Sequence, residues 1–237
     1  MKNEVSERDF ILKIYIIYDS IYIKHIMCNG KKGDRVIARK NRIWYPGAVY
    51  HLMERGIRKQ AIYRDDMGHQ VFIAIMRSTL EKNQGLLHAY CMMTNHFHLL
   101  LETSDIEPGK FMKQLASCYA IYFNRKYRFS GHLFEGRYKA CLVKDDDYFL
   151  QSSRYIHLNP VKAGIVEHPE DYPWSSYRTM LGMNDDKMTD IRRTLAYFRG
   201  NAVMRYRDFV EDIGHKYVIQ ENEIKKSIGE DDLWLPW

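Results

Sequence analysis

The 237 residues are 46% hydrophobic and 28% charged, a balance that excludes wholesale disorder and is sufficient for one good-sized core. The formal net charge of +6 suits an anionic partner such as nucleic acid, where basic side chains neutralise phosphates and release counterions. No stretch reaches the roughly 18 uninterrupted apolar residues of a membrane span, and Glu4, Glu7 and Asp9 precede the first apolar run where a secretory signal needs positive charge, so a cytoplasmic protein without a membrane partner is expected.

Residues 1–35 form an N-terminal extension. Its Ile/Tyr-rich run FILKIYIIYDSIYIKHIM is interrupted by Lys13, Asp19 and Lys24 and suits a strand or hairpin, and it ends in the polar stretch NGKKGDR. Cys28, Cys91, Cys118 and Cys141 are scattered without a C-x-x-C pair, which leaves them as free thiols in a reducing compartment. Residues 36–178 carry clean periodic elements. AVYHLMERG reads as a strand closed by Gly56. Asp65 or Asp66 caps a helix whose Phe72, Ile75, Met76, Thr79 and Leu80 share one face and which Asn83 and Gly85 terminate. LLHAYCMMT and HFHLLLET are two strands joined tightly through Thr94 and Asn95. A second helix, GKFMKQLASCYAIYFNRKY, places Phe111, Leu115, Cys118 and Tyr122 together, and HLFEGRYKACLV supplies a loop and a strand. DDDYFLQSSRYIHLNP is a helix with acidic residues at its start, where the helix dipole favours them, and Pro160 marks its end. Strand–helix–strand–strand–helix–strand is the order of a ferredoxin-like α+β fold: one antiparallel sheet with helices on one face and the other face open. Residues 179–237 are more polar and read as a mainly helical C-terminal extension.

Three local patterns carry chemistry. In NHFHLLLE, strand alternation puts His96 and His98 on one face and Phe97, Leu99 and Leu101 on the other, so two imidazoles stand side by side on the exposed surface. Such a pair suits a metal ion; the alternative is two ordinary strand histidines at a sheet surface. In RYIHLNP, Tyr155 and Asn159 are i and i+4 on one helix face, a phenol and an amide directed to one spot, or a packed tyrosine with a helix cap. Tyr148, two turns earlier, is an alternative phenol. In GHLFEGRYKACLVK, Arg137, Tyr138, Lys139 and Lys144 mix charge with an aromatic ring, as in a nucleic-acid groove or a solvated basic strand edge. Taken together, a divalent cation on the histidines would polarise a phosphodiester while a tyrosine attacks it, giving a covalent phosphotyrosine.

The stretches ARKNRIWYPGAVYHLMERG, MTNHFHLLLE, FNRKYRFSGHLFEGRYKACLV, RYIHLNPVKAGIV and YPWSSYR, from about Ala38 to Arg178, resemble the single-tyrosine His-hydrophobic-His transposases, the REP-associated tyrosine type in particular. The resemblance implies a ferredoxin-like catalytic domain that often forms a homodimer. It implies Mg²⁺ or Mn²⁺ with no organic cofactor, and single-stranded, hairpin-bearing DNA as partner. Carried across by position, His96, His98 and Asn159 are metal ligands and Tyr155 is the nucleophile, which favours it over Tyr148. Residues 1–35 have no counterpart in that pattern and are expected to be dispensable. Three other functions fit parts of the pattern. A domesticated, non-catalytic transposase would bind a hairpin without cutting it. A sensor with an H-x-H zinc site leaves RYIHLNP unexplained. A ribonuclease using the histidines as acid and base would stay active in EDTA.

Overall fold

The computed structural model describes residues 43–212; the extension at 1–35 and the tail beyond 212 lie outside the described residues. The order is β1 (Val49–Arg55), α1 (Asp66–Asn83), β2 (Leu86–Met93), β3 (His96–Glu102), α2 (Pro108–Tyr127), β4 (Lys139–Leu142) and α3 (Asp146–Lys162). Three short helices follow, α4 (Tyr177–Met180), α5 (Arg192–Ala196) and α6 (Ala202–Glu211). The strands form one antiparallel sheet in the order β2-β3-β1-β4. This is the ferredoxin-like α+β arrangement that the element order implies, followed by a helical C-terminal region. Among the described residues no helix is long and apolar enough to cross a membrane.

Alternation builds the first layer. Tyr50 and Leu52 of β1, Tyr90 and Met92 of β2, and Phe97, Leu99 and Leu101 of β3 all turn to α1 and α2. There they meet Phe72, Ile75, Met76, Phe111, Leu115 and Cys118 in one buried cluster, each large apolar side chain contributing about 1.5–3 kcal/mol by leaving water. The Asp65 carboxylate caps α1 by accepting from the Gly68 amide at 2.8 Å. It also accepts from Lys126 Nζ and the Tyr127 hydroxyl, tying the start of α1 to the end of α2. Gly56 ends β1 because a Cβ there would lie 2.3 Å from the Gln60 carbonyl oxygen; only glycine allows that approach.

The sequence leaves the opposite sheet face open, and here the structure corrects it: α3 lies across that face. The two ferredoxin-like helices do share one side, but Val49, Ala89, Cys91, Met93 and Leu100 pack against Phe149 and Ile156 of α3. The cause is in β2, whose second-face residues Ala89, Cys91 and Met93 are as apolar as its first-face ones. A strand apolar on both sides must be covered on both sides. The free edge of β2 is also covered. Tyr90 donates its amide to Ser176 Oγ (2.9 Å), Met92 donates to the Trp174 carbonyl (2.9 Å), and Ser175 bridges to Cys91.

Pro160 does not end α3, contrary to its expected role. The helix runs on to Lys162 because only the ladder bond of the missing proline N–H is lost. Ala163 still donates to the Asn159 carbonyl and Ile165 to that of Pro160, both at 2.9 Å. Neighbours fix α3 firmly. His157, buried, bridges the Tyr206 hydroxyl (2.7 Å) and Ser176 Oγ (2.8 Å). Arg154 donates to the carbonyls of Phe209 and Asp212, both at 2.8 Å. The C-terminal helices therefore serve to hold the helix that carries Tyr155.

Candidate active site

β3 presents His96 and His98 on the face covered by α3, with Phe97 and Leu99 turned to the core. Their rings stand 5.0 Å apart, edge to face. The expectation that they sit on an exposed surface is wrong: His96 is 5% and His98 2% exposed, because α3 and the neighbouring strands close over them. Burial, with the Arg55 guanidinium adding to it, pushes His96 down to about 3. Burial, then the nearby His96 and His51, holds His98 well below the usual range. Both are neutral imidazoles at ordinary pH, the form that offers a lone pair.

The hydrogen bonds of these rings decide which nitrogen offers it. His96 Nδ1 is 2.6 Å from Asn95 Oδ1. An amide oxygen only accepts, so the proton sits on Nδ1 and Nε2 is the donor atom for a cation. His98 Nδ1 is 2.9 Å from Nε2 of His51, a fully buried histidine on β1. Among the described residues no three His, Cys, Asp or Glu side chains converge to hold a metal by themselves. A cation on His96 and His98 thus needs a donor of another kind. On α3 the Asn159 amide nitrogen donates to the Tyr155 carbonyl at 2.8 Å, and an amide oxygen such as its Oδ1 is a hard donor of the kind that suits Mg²⁺ or Mn²⁺.

The Asp145 carboxylate, accepting from the Tyr148 amide at 2.7 Å, starts α3, and the helix then brings Tyr155 down onto the histidines. The half-buried Tyr155 ring lies edge-on to His98 at 5.7 Å and to His51 at 5.8 Å. Lys162 Nζ sits 5.0 Å from the same ring. Tyr148 is seven residues nearer the helix start, about 10 Å along the axis.

The basic residues divide. Lys139 pairs in register with Met53 and so shares the histidine face, where burial and then Arg55 lower its pKa. Arg137 and Lys144 are exposed on either side of β4. Tyr138 turns the other way and packs on the core cluster beside α2, so it is not gathered with them. Two further polar residues of β1 share the histidine face, His51 and Arg55. Arg55 lies directly across from His96 and is held by Glu135 at 2.8 Å. The signal for both was the alternation of AVYHLMERG, in which His51, Met53 and Arg55 fall on the side opposite Tyr50 and Leu52.

Residues 45–159 match the family model for IS200-like transposases. A REP-associated tyrosine transposase of Haemophilus influenzae is 34% identical over 101 residues, which are 38% of this chain and 57% of that protein's length. The structure of a REP-associated tyrosine transposase bound to a REP hairpin superposes with a TM-score of 0.53 at 15% identity, over 65% of this chain and 93% of the other, a likeness of fold. A transposase structure from Deinococcus radiodurans is 22% identical over 46% of this chain and 88% of its own, with a TM-score of 0.36. Residues 45–159, the stretch that contains His51, His96, His98, Tyr155 and Asn159, are thus similar to IS200-like transposases, and the chain spans 57% of the length of the REP-associated tyrosine transposase it matches.

Proposed function

We propose that the protein nicks and rejoins hairpin-bearing single-stranded DNA through a covalent 5′-phosphotyrosine on Tyr155. The observation that carries this reading is the contact of the Tyr155 ring with His98, which puts a phenol beside a buried, neutral histidine pair. His96, His98 and Asn159 would hold Mg²⁺ or Mn²⁺; the fit rests on their donor atoms, two imidazole nitrogens and one amide oxygen. When bound, the cation supplies Lewis-acid stabilisation of the charge that develops on the scissile phosphate.

The steps belong to the protein's own groups. The Tyr155 oxygen attacks phosphorus as its proton passes to water. The bond from phosphorus to the 3′ oxygen of the leaving strand breaks, and that oxygen takes up a proton. One phosphodiester is exchanged for another, so a second strand's 3′ hydroxyl can reverse the step and join without a nucleotide triphosphate. Arg137, Lys139 and Lys144 would neutralise backbone phosphates. The family likeness adds a homodimeric assembly and a cytoplasmic place of action to this reading.

The Tyr155→Phe variant tests it. Only the attacking oxygen is removed, so the covalent adduct with a hairpin oligonucleotide should vanish on a denaturing gel while hairpin binding stays within about twofold. A non-cleaving hairpin-binding protein would form no adduct even as wild type, and an adduct that survives the substitution rules out Tyr155. Substrate form gives a second check. A sheet edge that offers cations to unstacked strands favours a single-stranded hairpin over its perfect duplex. Hairpin affinity should fall as salt rises, with a log–log slope of about −0.7 per phosphate contact on single strands. Equal affinity for hairpin and duplex in filter-binding or anisotropy titrations contradicts this preference.

A further inference from the structure

His51 has no place in the reaction above, yet it is fully buried against the histidine pair. It sits in mid-strand, in register with Leu100 of β3 and Cys141 of β4, between Tyr50 and Leu52 in sequence. An apolar side chain would fill that site without a hydrogen-bonding requirement. Instead His51 Nε2 lies 2.9 Å from His98 Nδ1, with the rings 5.1 Å apart, while His51 Nδ1 is buried without a hydrogen-bond partner. Buried polar atoms left unmatched in this way call for a compensating role.

We infer that His51 is a positioning residue that fixes the tautomer and orientation of His98 so that His98 Nε2 faces the cation. The inference rests on reading His98 as a metal ligand. Two neutral imidazoles share the 2.9 Å contact, so one proton lies between them and one nitrogen must accept. If His51 donates, His98 Nδ1 is the acceptor, His98 carries its proton on Nε2, and that nitrogen cannot ligate. If His98 donates from Nδ1, its Nε2 bears the lone pair and His51 carries its own proton on Nδ1. Only the second arrangement is compatible with a bound cation, and it leaves the buried N–H that His51 Nδ1 then represents. The same ring also meets Tyr155 at 5.8 Å, so His51 fills the corner between ligand and nucleophile. Asn95 performs the equivalent task for His96 from the adjacent residue. Metal-bound histidines are commonly oriented by such hydrogen-bond partners, and their removal typically weakens metal binding by about 10–100-fold.

The test uses the full chain with Mn²⁺ alone as probe, its binding followed by electron paramagnetic resonance of the free ion. His51→Leu, which removes the acceptor, should weaken Mn²⁺ binding by about 10–100-fold. His51→Gln, which restores an acceptor oxygen, should recover most of that loss, with folding of both variants checked by circular dichroism. A purely structural His51 would give two variants with the same Mn²⁺ affinity as wild type or with losses that follow stability alone, and this overturns the inference. A wild-type protein that binds no Mn²⁺ overturns the metal reading itself, a separate outcome. Should either variant fail to fold, ¹⁵N NMR of the Mg²⁺-loaded wild type decides. A proton on His98 Nδ1, with coupling across the hydrogen bond to His51 Nε2, is expected, and a proton on His98 Nε2 contradicts it.

Discussion

Replacing His98 by alanine should abolish adduct formation, a fall of at least about 10³-fold, and should also destabilise the fold. The first effect follows from losing one of two imidazole donors where the phosphate charge is stabilised. The second follows from burial: His98 is 2% exposed and wedged among His96, His51 and Tyr155. Alanine leaves a cavity there and strips His51 Nε2 of its partner, together costing about 2–4 kcal/mol. A surface histidine would have been removable with folding nearly intact; this one is not. Adduct yield and the urea midpoint, measured on the same preparation, check both parts. Wild-type cleavage by the alanine variant, or by the wild type in thoroughly chelated buffer, contradicts the role given to His98.

Acid should unfold the protein early. Burial lowers His51, His96 and His157 to about 3 and His69 to about 4, and holds His98 well below its ordinary value. In the unfolded chain each titrates near its model value of 6.5. Above that pH neither state binds the extra proton and these groups give no pH dependence. Below it the unfolded chain takes up protons that the folded one refuses, so stability falls as pH drops, by up to about 1.4 kcal/mol per pH unit for each histidine. Glu54 acts in the opposite direction. Burial raises it to about 8 from 4.5, so the folded state keeps a proton that the unfolded one releases, and stability declines as pH rises through that window. The urea midpoint should therefore peak near pH 6.5–7 and drop steeply below 6. Glu54→Gln should flatten the alkaline side and steepen the fall between pH 6.5 and 4.5, where the Glu54 proton offsets part of the histidine effect. A midpoint unchanged between pH 7 and 5 would show that the histidines are hydrated rather than buried.

The first layer of the fold was legible because alternation and helical periodicity report a one-sided burial directly. Phe72, Ile75, Met76 and Leu80 mark their face of α1 as plainly as Phe97, Leu99 and Leu101 mark theirs on β3. The second layer was not. Ala89, Cys91 and Met93 are small or adaptable side chains whose need for cover shows only once Phe149 and Ile156 are seen to supply it. That one packing event turned His96 and His98 from surface to interior. His51 was hidden for a related reason: alternation in VYHLMER sets which face it takes, but its meaning comes only from β1 lying beside β3. Pro160 misled because a local rule about helix geometry was applied where surrounding bonds hold the last turn closed. Tyr155 and Asn159 were legible as a pair, since i and i+4 geometry needs no tertiary information.

The most direct measurement of the central claim is to trap the covalent complex and locate it. The full chain would be incubated with Mn²⁺ and single-stranded, hairpin-bearing DNA from the regions flanking its own gene, and the denatured adduct digested and mapped by mass spectrometry. The account predicts a nucleotide linked through its 5′ phosphate to Tyr155, formed only when the divalent cation is present. A nucleotide on Tyr148, or cleavage that proceeds in EDTA without any adduct, would contradict it.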